Sequence, residues 1–262
     1  MYPIHNRTIY KYKHGKMVEQ IDVVADEHPI TIRINGKEFM TIVCTPEHIE
    51  EMVIGFLASE GVIPKYESIK EISLQEDLGV IHISTDQYFP YYEKMLNKRY
   101  IASCCGMSRQ GFVFAHDALT AKTMTEINVK LNPDQCFSLM KQLDESAKMF
   151  QETGGVHNAA LCTPEQIILS RTDIGRHNAL DKIYGHCLKH SIAVSDKIIV
   201  FSGRISSEIL LKVSKIGCEI VLSKSAPTEL ALKLAEQLGI TTVGFIRGNS
   251  FNVYTHPHRL TT

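Results

Sequence analysis

The sequence predicts an α/β protein, with a layered sheet in its second half and a smaller β-rich part before it. Two observations carry this prediction. In residues 131–262, short apolar runs typical of buried strands alternate with segments of helical length and periodicity. Strands separated by such helices pair in parallel and form a layered sheet. In residues 1–98, apolar and polar residues instead alternate with the period of two that half-buried strands show.

The β-rich part contains a predicted hairpin and one predicted helix. Asn35-Gly36 lies between two alternating runs and is a strong two-residue hairpin signal. The next segment, "TPEHIEEMVIGFLASEG", predicts a helix with Thr45 as its N-cap, Pro46 at the first helical position and Gly61 at its end. The run "GVIHIST" then returns to strand.

The second half is more regular. A helix is predicted over "NPDQCFSLMKQLDESAKMFQET", followed by strands in "VHNAALCT" and "QIILSR". Three helix–strand units complete the predicted order α-β-β-α-β-α-β-α-β. Their helices are "IGRHNALDKIYGHCLKH", "ISSEILLKVSKIG" and "APTELALKLAEQLG", the last with Pro227 in its first turn, and their strands are "KIIVFS", "EIVLSK" and "ITTVGFIR".

Polar segments follow these strands where they end, and ligands of such sheets bind beyond the carboxyl ends of the strands. We call this edge of the sheet the rim. It is predicted to gather "SRTDIGRHN", "FSGRISSE", "LSKSAPTE" and the C-terminal "FIRGNSFNVYTHPHRL". Helix N-termini, glycine turns and basic side chains are groups that bind phosphate, so the rim predicts a phosphorylated ligand. Its basic residues are Arg171, Arg176, Arg204, Lys224, Arg247 and Arg259.

Two adjacent cysteines, Cys104 and Cys105, lie on a predicted loop, "CCGMSRQG". Neighbouring Cα atoms are about 3.8 Å apart, whereas an unstrained disulfide needs roughly 4.4 to 6.8 Å. Gly106 bares the backbone after Cys105, and the guanidinium of Arg109 would favour its thiolate, the form that can carry a persulfide. A pair of inert buried thiols fits the same residues.

The other five cysteines (Cys44, Cys136, Cys162, Cys187 and Cys218) are interpreted as small buried hydrophobic residues. An odd, scattered set of thiols fits a reducing cytoplasm. The adjacent pair cannot readily bind one tetrahedral ion and no second cysteine pair has zinc spacing, so no structural metal is expected.

The remaining composition argues against two further classes of partner. With a formal net charge of -1 and no apolar run approaching about 20 residues, neither nucleic acid nor a membrane is expected as a partner. His157 and His177 fit either substrate orientation or structural hydrogen bonding. His256 and His258 are interpreted as part of a mobile C-terminal tail rather than as metal ligands.

Six motifs, in order, resemble the FdhD family of formate dehydrogenase accessory sulfurtransferases from about residue 20 to the C-terminus. They are "SCCGMSRQGF", "TGGVHNAAL", "SRTDIGRHNALDK", "FSGRISSE", "SKSAPTELA" and "GFIRGNSFNVYTHPHRL". The resemblance implies a cytidine-deaminase-like three-layer core with a smaller β-rich N-terminal domain, a cytoplasmic protein and a homodimer. We expect a β-rich domain over 1–98, a connecting segment with the cysteine pair over 99–130, and the core over 131–262.

The resemblance also implies a function. The family accepts sulfur from a cysteine desulfurase as a cysteine persulfide. It passes this sulfur to the molybdenum bis(molybdopterin guanine dinucleotide) cofactor before insertion into formate dehydrogenase. By position the persulfide cysteine is Cys105, but Ser108 replaces the second cysteine of the family pattern Cys-Gly-x-Cys-Gly, so either Cys105 works alone or Cys104 serves as its partner. The cofactor-binding stretch falls on Phe245, Ile246, Arg247, Gly248, Asn249 and Ser250, to which we add Arg176, His177 and Arg204.

Two other functions fit parts of this pattern. A non-catalytic chaperone that holds a guanine dinucleotide cofactor would need the basic rim but no reactive thiol. A hydrolytic zinc deaminase would need His-x-Glu and Pro-Cys-x-x-Cys segments. Here Ala159 stands where the acid is required, and "SAPTEL" has no cysteine.

Overall fold

A computed structural model describes residues 3–87 and 121–261. They form an α/β fold with a six-stranded sheet, a four-stranded sheet and a two-stranded hairpin, which confirms the predicted fold class and its β-rich N-terminal part. None of the helices in these two ranges has the length and apolar character needed to cross a membrane. The cysteine pair and its predicted loop lie outside the described residues.

The N-terminal part begins with an antiparallel hairpin of β1 (Ile4–Lys13) and β2 (Lys16–Ala25). A four-stranded sheet follows, in the order β4-β3-β6-β5, with helix α1 (Ile49–Ser59) inserted between β4 and β5. Its strands are β3 (His28–Ile34), β4 (Lys37–Cys44), β5 (Ile69–Gln75) and β6 (Val80–Thr85). The predicted turn is confirmed, since Asn35 and Gly36 join β3 to β4 with φ angles of 49° and 81°.

Helix α1 begins later than predicted, with His48 rather than Thr45 at its N-cap. Thr45 is engaged elsewhere: its N–H donates to the Asp173 carboxylate at 3.1 Å, and its hydroxyl accepts from the N–H of Ile174 at 3.0 Å. These long-range bonds to the second half of the chain replace the local cap.

The core follows the predicted order of elements. Its helices are α2 (Pro133–Ser146), α3 (Lys148–Thr153), α4 (Arg176–Lys189), α5 (Ser207–Ile216) and α6 (Glu229–Leu238). Its strands are β7 (His157–Cys162), β8 (Ile167–Asp173), β9 (Ile198–Phe201), β10 (Ile220–Ser223), β11 (Thr241–Arg247) and β12 (Ser250–Thr255), in the order β12-β11-β10-β9-β7-β8. Strands β9, β10 and β11 are parallel, as predicted, whereas β7 and β12 run antiparallel to their neighbours.

Three details of the core differ from the sequence prediction. The first helix breaks at Ala147, whose ψ of 51° is not helical, so α2 and α3 are separate. A turn at Gly248 adds β12 after the last predicted strand. Helix α6 is capped by Thr228, whose side chain accepts from the N–H of Ala231, so Pro227 precedes the helix instead of lying in its first turn.

Helices cover both faces of the six-stranded sheet, which gives the core three layers. One face packs against α4, α5 and α6 through residues such as Leu161, Phe201 and Val221. The other packs against α2 through Val200 and Leu222. The five described cysteines are all free and buried, as predicted.

Helix α1 joins the N-terminal part to the core by packing directly on α4. A Cβ atom on Gly55 would lie 1.9 Å from the carbonyl oxygen of Asp181, and one on Gly185 would lie 1.8 Å from that of Glu51. The two helices therefore meet backbone to backbone, at a distance that only glycine permits.

The C-terminal segment is docked on the core, so the expected mobile tail is wrong. Arg259 is buried, with its Nε 3.0 Å from a carboxylate oxygen of Glu219 and its Nη1 donating to the carbonyl of Gly239. Glu219 lies directly before β10 and Gly239 shortly before β11, at the amino ends of these strands. Arg259 therefore lies at the edge of the sheet opposite the rim, and its assignment to the rim is wrong. His256 lies against helix α6, with its Nε2 3.1 Å from the carbonyl oxygen of Glu236.

Candidate functional site

The strand exits meet at one edge of the six-stranded sheet, as predicted, and hydrogen bonds join them. The hydroxyl of Ser225, after β10, donates to the carbonyl of Ser202, after β9, at 3.1 Å. The hydroxyl of Ser223 donates to the carbonyl of Gly203 at 2.7 Å, and the N–H of Phe245 in β11 donates to Ser225. The rim is thus a continuous polar ledge.

A cavity of about 540 Å³ opens between this ledge and helix α2. This volume lies within the range of about 300 to 1,000 Å³ typical of ligand pockets. The walls are formed by Phe137, Met140, Lys141 and Asp144 of α2, by Ser202, Lys224 and Ser225 of the exits, and by Ile246, Arg247 and Gly248.

Basic side chains dominate the charge of this cavity. Lys141, Lys224 and Arg247 line it, together with one acid, Asp144, whose carboxylate pairs with the Lys224 ammonium. The Nε of Arg247 donates to the carbonyl of Lys224 at 3.2 Å, which holds the guanidinium beside the cavity. An excess of cations beside bare backbone turns suits phosphate groups.

An irregularity in β11 gives the cavity an aromatic neighbour. Phe245 has a φ of 54°, and the pairing of β11 with β12 shifts between Gly244 and Arg247. This turns the Phe245 ring outward, leaving it 39% exposed, with the Arg247 guanidinium carbon 5.9 Å from the ring centroid. Gly244 permits this geometry, because a Cβ there would lie 3.0 Å from the carbonyl oxygen of Ser225.

The residues of the predicted stretch from Phe245 to Ser250 therefore differ in where they lie relative to the cavity. Arg247 and Gly248 line the cavity, and Phe245 lies exposed beside them. Ile246 lines the cavity as well, but its side chain is buried in the core beneath α2. Asn249 and Ser250 form the exposed turn and the start of β12, where the Ser250 hydroxyl donates to the carbonyl of Arg247.

A second polar group lies on the rim at the start of α4. The Nε2 atom of His177 is 3.0 Å from a carboxylate oxygen of Glu208. Within the described ranges, neither the buried Nε of Arg176 nor that Nε2 makes a hydrogen bond of good geometry. Burial lowers the pKa of His157, and the neighbouring Arg176 and His177 lower it further. His157 is therefore a neutral imidazole near pH 7.

The turn that carries this group is shaped by Asp173. One carboxylate oxygen accepts from the N–H of Gly175 at 2.7 Å and from the amide of Asn178 at 2.9 Å. The other oxygen pairs with Lys182 at 2.7 Å. Arg204 occupies an exposed position in the neighbouring turn after β9.

Arg171 does not belong to the rim, which corrects the sequence assignment. It lies inside β8 and binds Glu51 of α1 with two prongs, Nε to Oε2 at 2.6 Å and Nη2 to Oε1 at 3.0 Å. Glu51, His186 and His190 bring three possible metal ligands together, but this guanidinium places a fixed positive charge on the carboxylate. Although burial alone would raise the pKa of Glu51, its hydrogen bonds from Arg171 and His186 hold it below the ordinary value.

The described cysteines are poor nucleophiles. Burial raises the pKa of Cys44, Cys136 and Cys162 to about 12 and that of Cys187 to about 11, and it also raises the pKa of Cys218. Thiolate is the reactive form, so none of these five sulfurs suits group transfer. Ala159 is fully buried in β7 beside Phe201, and its methyl group supplies no acid for deaminase chemistry.

Sequence reasoning missed the wall that α2 contributes. Residues 137, 140, 141 and 144 share one helical face at spacings of i, i+3, i+4 and i+7. This periodicity is visible in the sequence. It marks a face but does not tell which edge of the sheet that face overhangs.

The chain is similar to known proteins over nearly its whole length. Residues 25–261 match the model of the FdhD/NarQ family. The chain belongs to this family. It is 56% identical over 256 residues to the sulfur carrier protein FdhD of Shouchella clausii, covering 97% of this chain and 96% of the relative. It is 54% identical over 254 residues to the protein of the same name from Bacillus subtilis, covering 97% and 96%.

A solved structure of an FdhD/NarQ relative has the same fold. It is the crystal structure of a putative formate dehydrogenase accessory protein from Desulfotalea psychrophila, with a TM-score of 0.79 and 26% identity. The match covers 99% of this chain and 100% of that one. The family resemblance drawn from the six motifs is confirmed.

Proposed function

We propose that this chain is a sulfur carrier that serves formate dehydrogenase maturation. Support comes from relatives named sulfur carrier protein FdhD that are 56% and 54% identical over nearly the whole chain. The observation that carries the proposal here is the basic cavity at the rim, which lies on the stretch that the family resemblance assigns to cofactor binding. Free thiols are kept reduced in the cytoplasm, which is the compartment we propose for this activity.

The sulfur is carried on Cys105. Its thiolate attacks the terminal sulfur of a persulfide on a cysteine desulfurase, and a new S–S bond forms to Cys105. The S–S bond of the desulfurase breaks, and its cysteine leaves as a thiolate, so the exchange needs no oxidant or reductant. This makes the protein a sulfurtransferase acting through a persulfide, with Cys104 as the neighbouring candidate thiol.

The substrate at the rim is the molybdenum bis(molybdopterin guanine dinucleotide) cofactor. Lys224 and Arg247 supply cations for its phosphates, and Phe245 offers an exposed ring on which a guanine can stack. Arg176, His177 and Arg204 extend the polar rim towards further phosphate or pterin groups. The homodimer implied by the family resemblance is part of the same proposal.

The sulfur step is tested by incubating the chain with a cysteine desulfurase and cysteine and measuring the intact mass. We expect a gain of one sulfur atom that Cys105→Ala abolishes and Cys104→Ala retains. The reverse pattern would show that Cys104, and not Cys105, carries the sulfur. Uptake of sulfur by neither cysteine would refute the carrier function. It would favour the alternative function, a non-catalytic chaperone that binds the cofactor.

The binding step is tested separately with GDP as a probe of one half of the cofactor. Arg247→Met is expected to weaken binding about tenfold or more, because it removes a charge-assisted contact. Lys233→Met is the matched control, since this lysine is exposed on α6, a helix on the opposite face of the sheet from the cavity. Equal affinity in both variants would refute the assignment of this cavity.

A further inference from the structure

The junction between α1 and α4 brings two imidazoles and a carboxylate together. His186 lies in the last turn of α4, and His190, four residues later, is its C-cap. Residues at this spacing share one face of a helix, and the two ring centroids are 4.3 Å apart. Glu51 of α1 faces them, with its Oε1 2.7 Å from the Nδ1 of His186. One ligand atom from each of the three residues lies within 4.8 Å of the other two.

This set of side chains suits a transition-metal ion such as Zn²⁺. Imidazole nitrogens and a carboxylate oxygen are zinc ligands, and two histidines four residues apart are the spacing found on zinc-binding helices. Hard cations such as Mg²⁺ prefer oxygen ligands instead. His190 is exposed, so an ion can reach the group from solvent. A cation there is also favoured by the C-terminal end of α4, which carries the negative end of the helix dipole.

We propose that Glu51, His186 and His190 bind one zinc ion at this junction, with water in its fourth position. A carboxylate oxygen cannot donate, so the short contact to Glu51 assigns the ring proton of His186 to Nδ1. The ion takes the position of that proton, between Nδ1 and Oε1. The ring proton moves to Nε2, so the imidazole stays neutral and changes only its tautomer.

Arg171 lowers the affinity of this site without closing it. Its Nε holds Oε2 of Glu51 at 2.6 Å, and its Nη2 holds Oε1 at 3.0 Å. Oε1 has two lone pairs, so it keeps the bond from Arg171 while the ion replaces the proton of His186. Hydrogen bonds of this kind orient the carboxylate ligands of metal sites. Because the guanidinium cancels the charge of Glu51, we expect micromolar affinity and a chain that folds without the ion.

The zinc site is separate from the rim, so this inference goes beyond the proposed function and does not rest on it. His177 at the rim and His186 are nine residues apart on α4, which is about 14 Å along a helix. The bound ion would instead link α1 to α4, and with them the N-terminal part to the core.

Calorimetric zinc titration of the full chain, without a histidine tag, tests the proposal. Cys104 and Cys105 are replaced by serine in the parent chain, because thiolates also bind zinc. We expect the parent to bind one Zn²⁺ but no Mg²⁺, and His186→Ala and His190→Ala each to weaken zinc binding at least about tenfold. His258→Ala is the matched control: it removes an exposed imidazole from another pair of neighbouring histidine rings, 5.7 Å apart.

Thermal unfolding gives a second measurement on the same variants. An ion that binds only the folded chain stabilises it, so zinc should raise the Tm of the parent and of His258→Ala. Zinc should leave the Tm of His190→Ala nearly unchanged. His190 is exposed at the end of its helix, so this variant is expected to fold.

Four outcomes would overturn the proposal. They are a parent chain that binds no zinc, unchanged zinc affinity in both His186→Ala and His190→Ala, an equal loss of affinity in His258→Ala, and Mg²⁺ binding as tight as that of Zn²⁺. Sulfur uptake is measured on the wild type with both thiols present. A failure of the proposed sulfur chemistry is therefore read independently of zinc binding.

Discussion

Replacing Gly185 by alanine is expected to destabilise the protein by about 3 kcal/mol, because α1 and α4 touch there backbone to backbone. The added Cβ would lie 1.8 Å from the carbonyl oxygen of Glu51 and 2.9 Å from the N–H nitrogen of Gly55. Both atoms belong to helical backbone and cannot rotate away. The helices must therefore separate by more than an ångström. This separation loosens the packing of the two hydrophobic cores to which α1 and α4 belong.

The magnitude follows from two opposing effects. Overpacking a well-packed interface costs about 1 to 3 kcal/mol and more when backbone must move, so we take about 4 kcal/mol for this contact. Alanine is favoured over glycine inside a helix by about 1 kcal/mol, which offsets part of the loss. For a chain of this size, a net loss of about 3 kcal/mol lowers Tm by about 6 to 12 °C.

Thermal and urea unfolding of the variant measure this loss. Gly155→Ala is the matched control, because its Cβ would have its nearest neighbour at 3.6 Å and its φ is not left-handed. The control should stay within about 0.5 kcal/mol of the wild type. If Gly185→Ala had the same Tm as the Gly155→Ala control, the two helices would not meet as described.

Three further predictions concern buried ionisable groups. Lys212→Met should cost about 3 to 5 kcal/mol in urea unfolding, because Asp181, 2.5 Å from the Lys212 ammonium, would keep a buried charge without its partner; replacing both residues by apolar ones should recover much of that loss. The lowered pKa of His157 means that its protonation opposes folding, so stability should be full above about pH 6.5 and fall as the pH drops below it, more steeply than in His157→Gln. At pH 8 the folded chain should take up rapid thiol label only at Cys104 and Cys105, and labelling of the five buried cysteines without denaturant would contradict their raised pKa values.

Local signals in the sequence predicted much of the fold. Asn35-Gly36 specifies its own turn, because both residues accept the left-handed backbone. Asn132 and Gln135 form a complete capping box that starts α2 at Pro133. Each of these features depends only on residues close together in the chain, so a sequence pattern is enough to find it.

The errors arose where a distant residue decides the outcome. Thr45 resembles a helix cap, but its hydroxyl and N–H are committed to residues about 130 positions away. Arg171 and Arg259 resemble ligand-binding residues, but each has a buried or half-buried acid as its partner, Glu51 and Glu219. Such pairings follow from how the layers stack, which no local pattern encodes.

The candidate site was predicted in part for the same reason. The basic residues at the strand exits follow from strand order, and Lys224 and Arg247 indeed line one cavity. Its other wall, with Lys141 and Asp144, comes from helix α2, which precedes all six strands of this sheet in the chain. The register of that helix over the rim is a property of packing in three dimensions.

Asp173 has a consequence for anyone who cuts or recombines this protein. Its carboxylate shapes the turn before α4, pairs with the fully buried Lys182 and accepts the N–H of Thr45. A fragment that starts after the β-rich part would leave this carboxylate without one of its donors, and Lys182 without the Thr45 carbonyl that it also binds. We therefore expect the isolated second half to be insoluble, and chimaeras between relatives to need both halves of this junction from one parent.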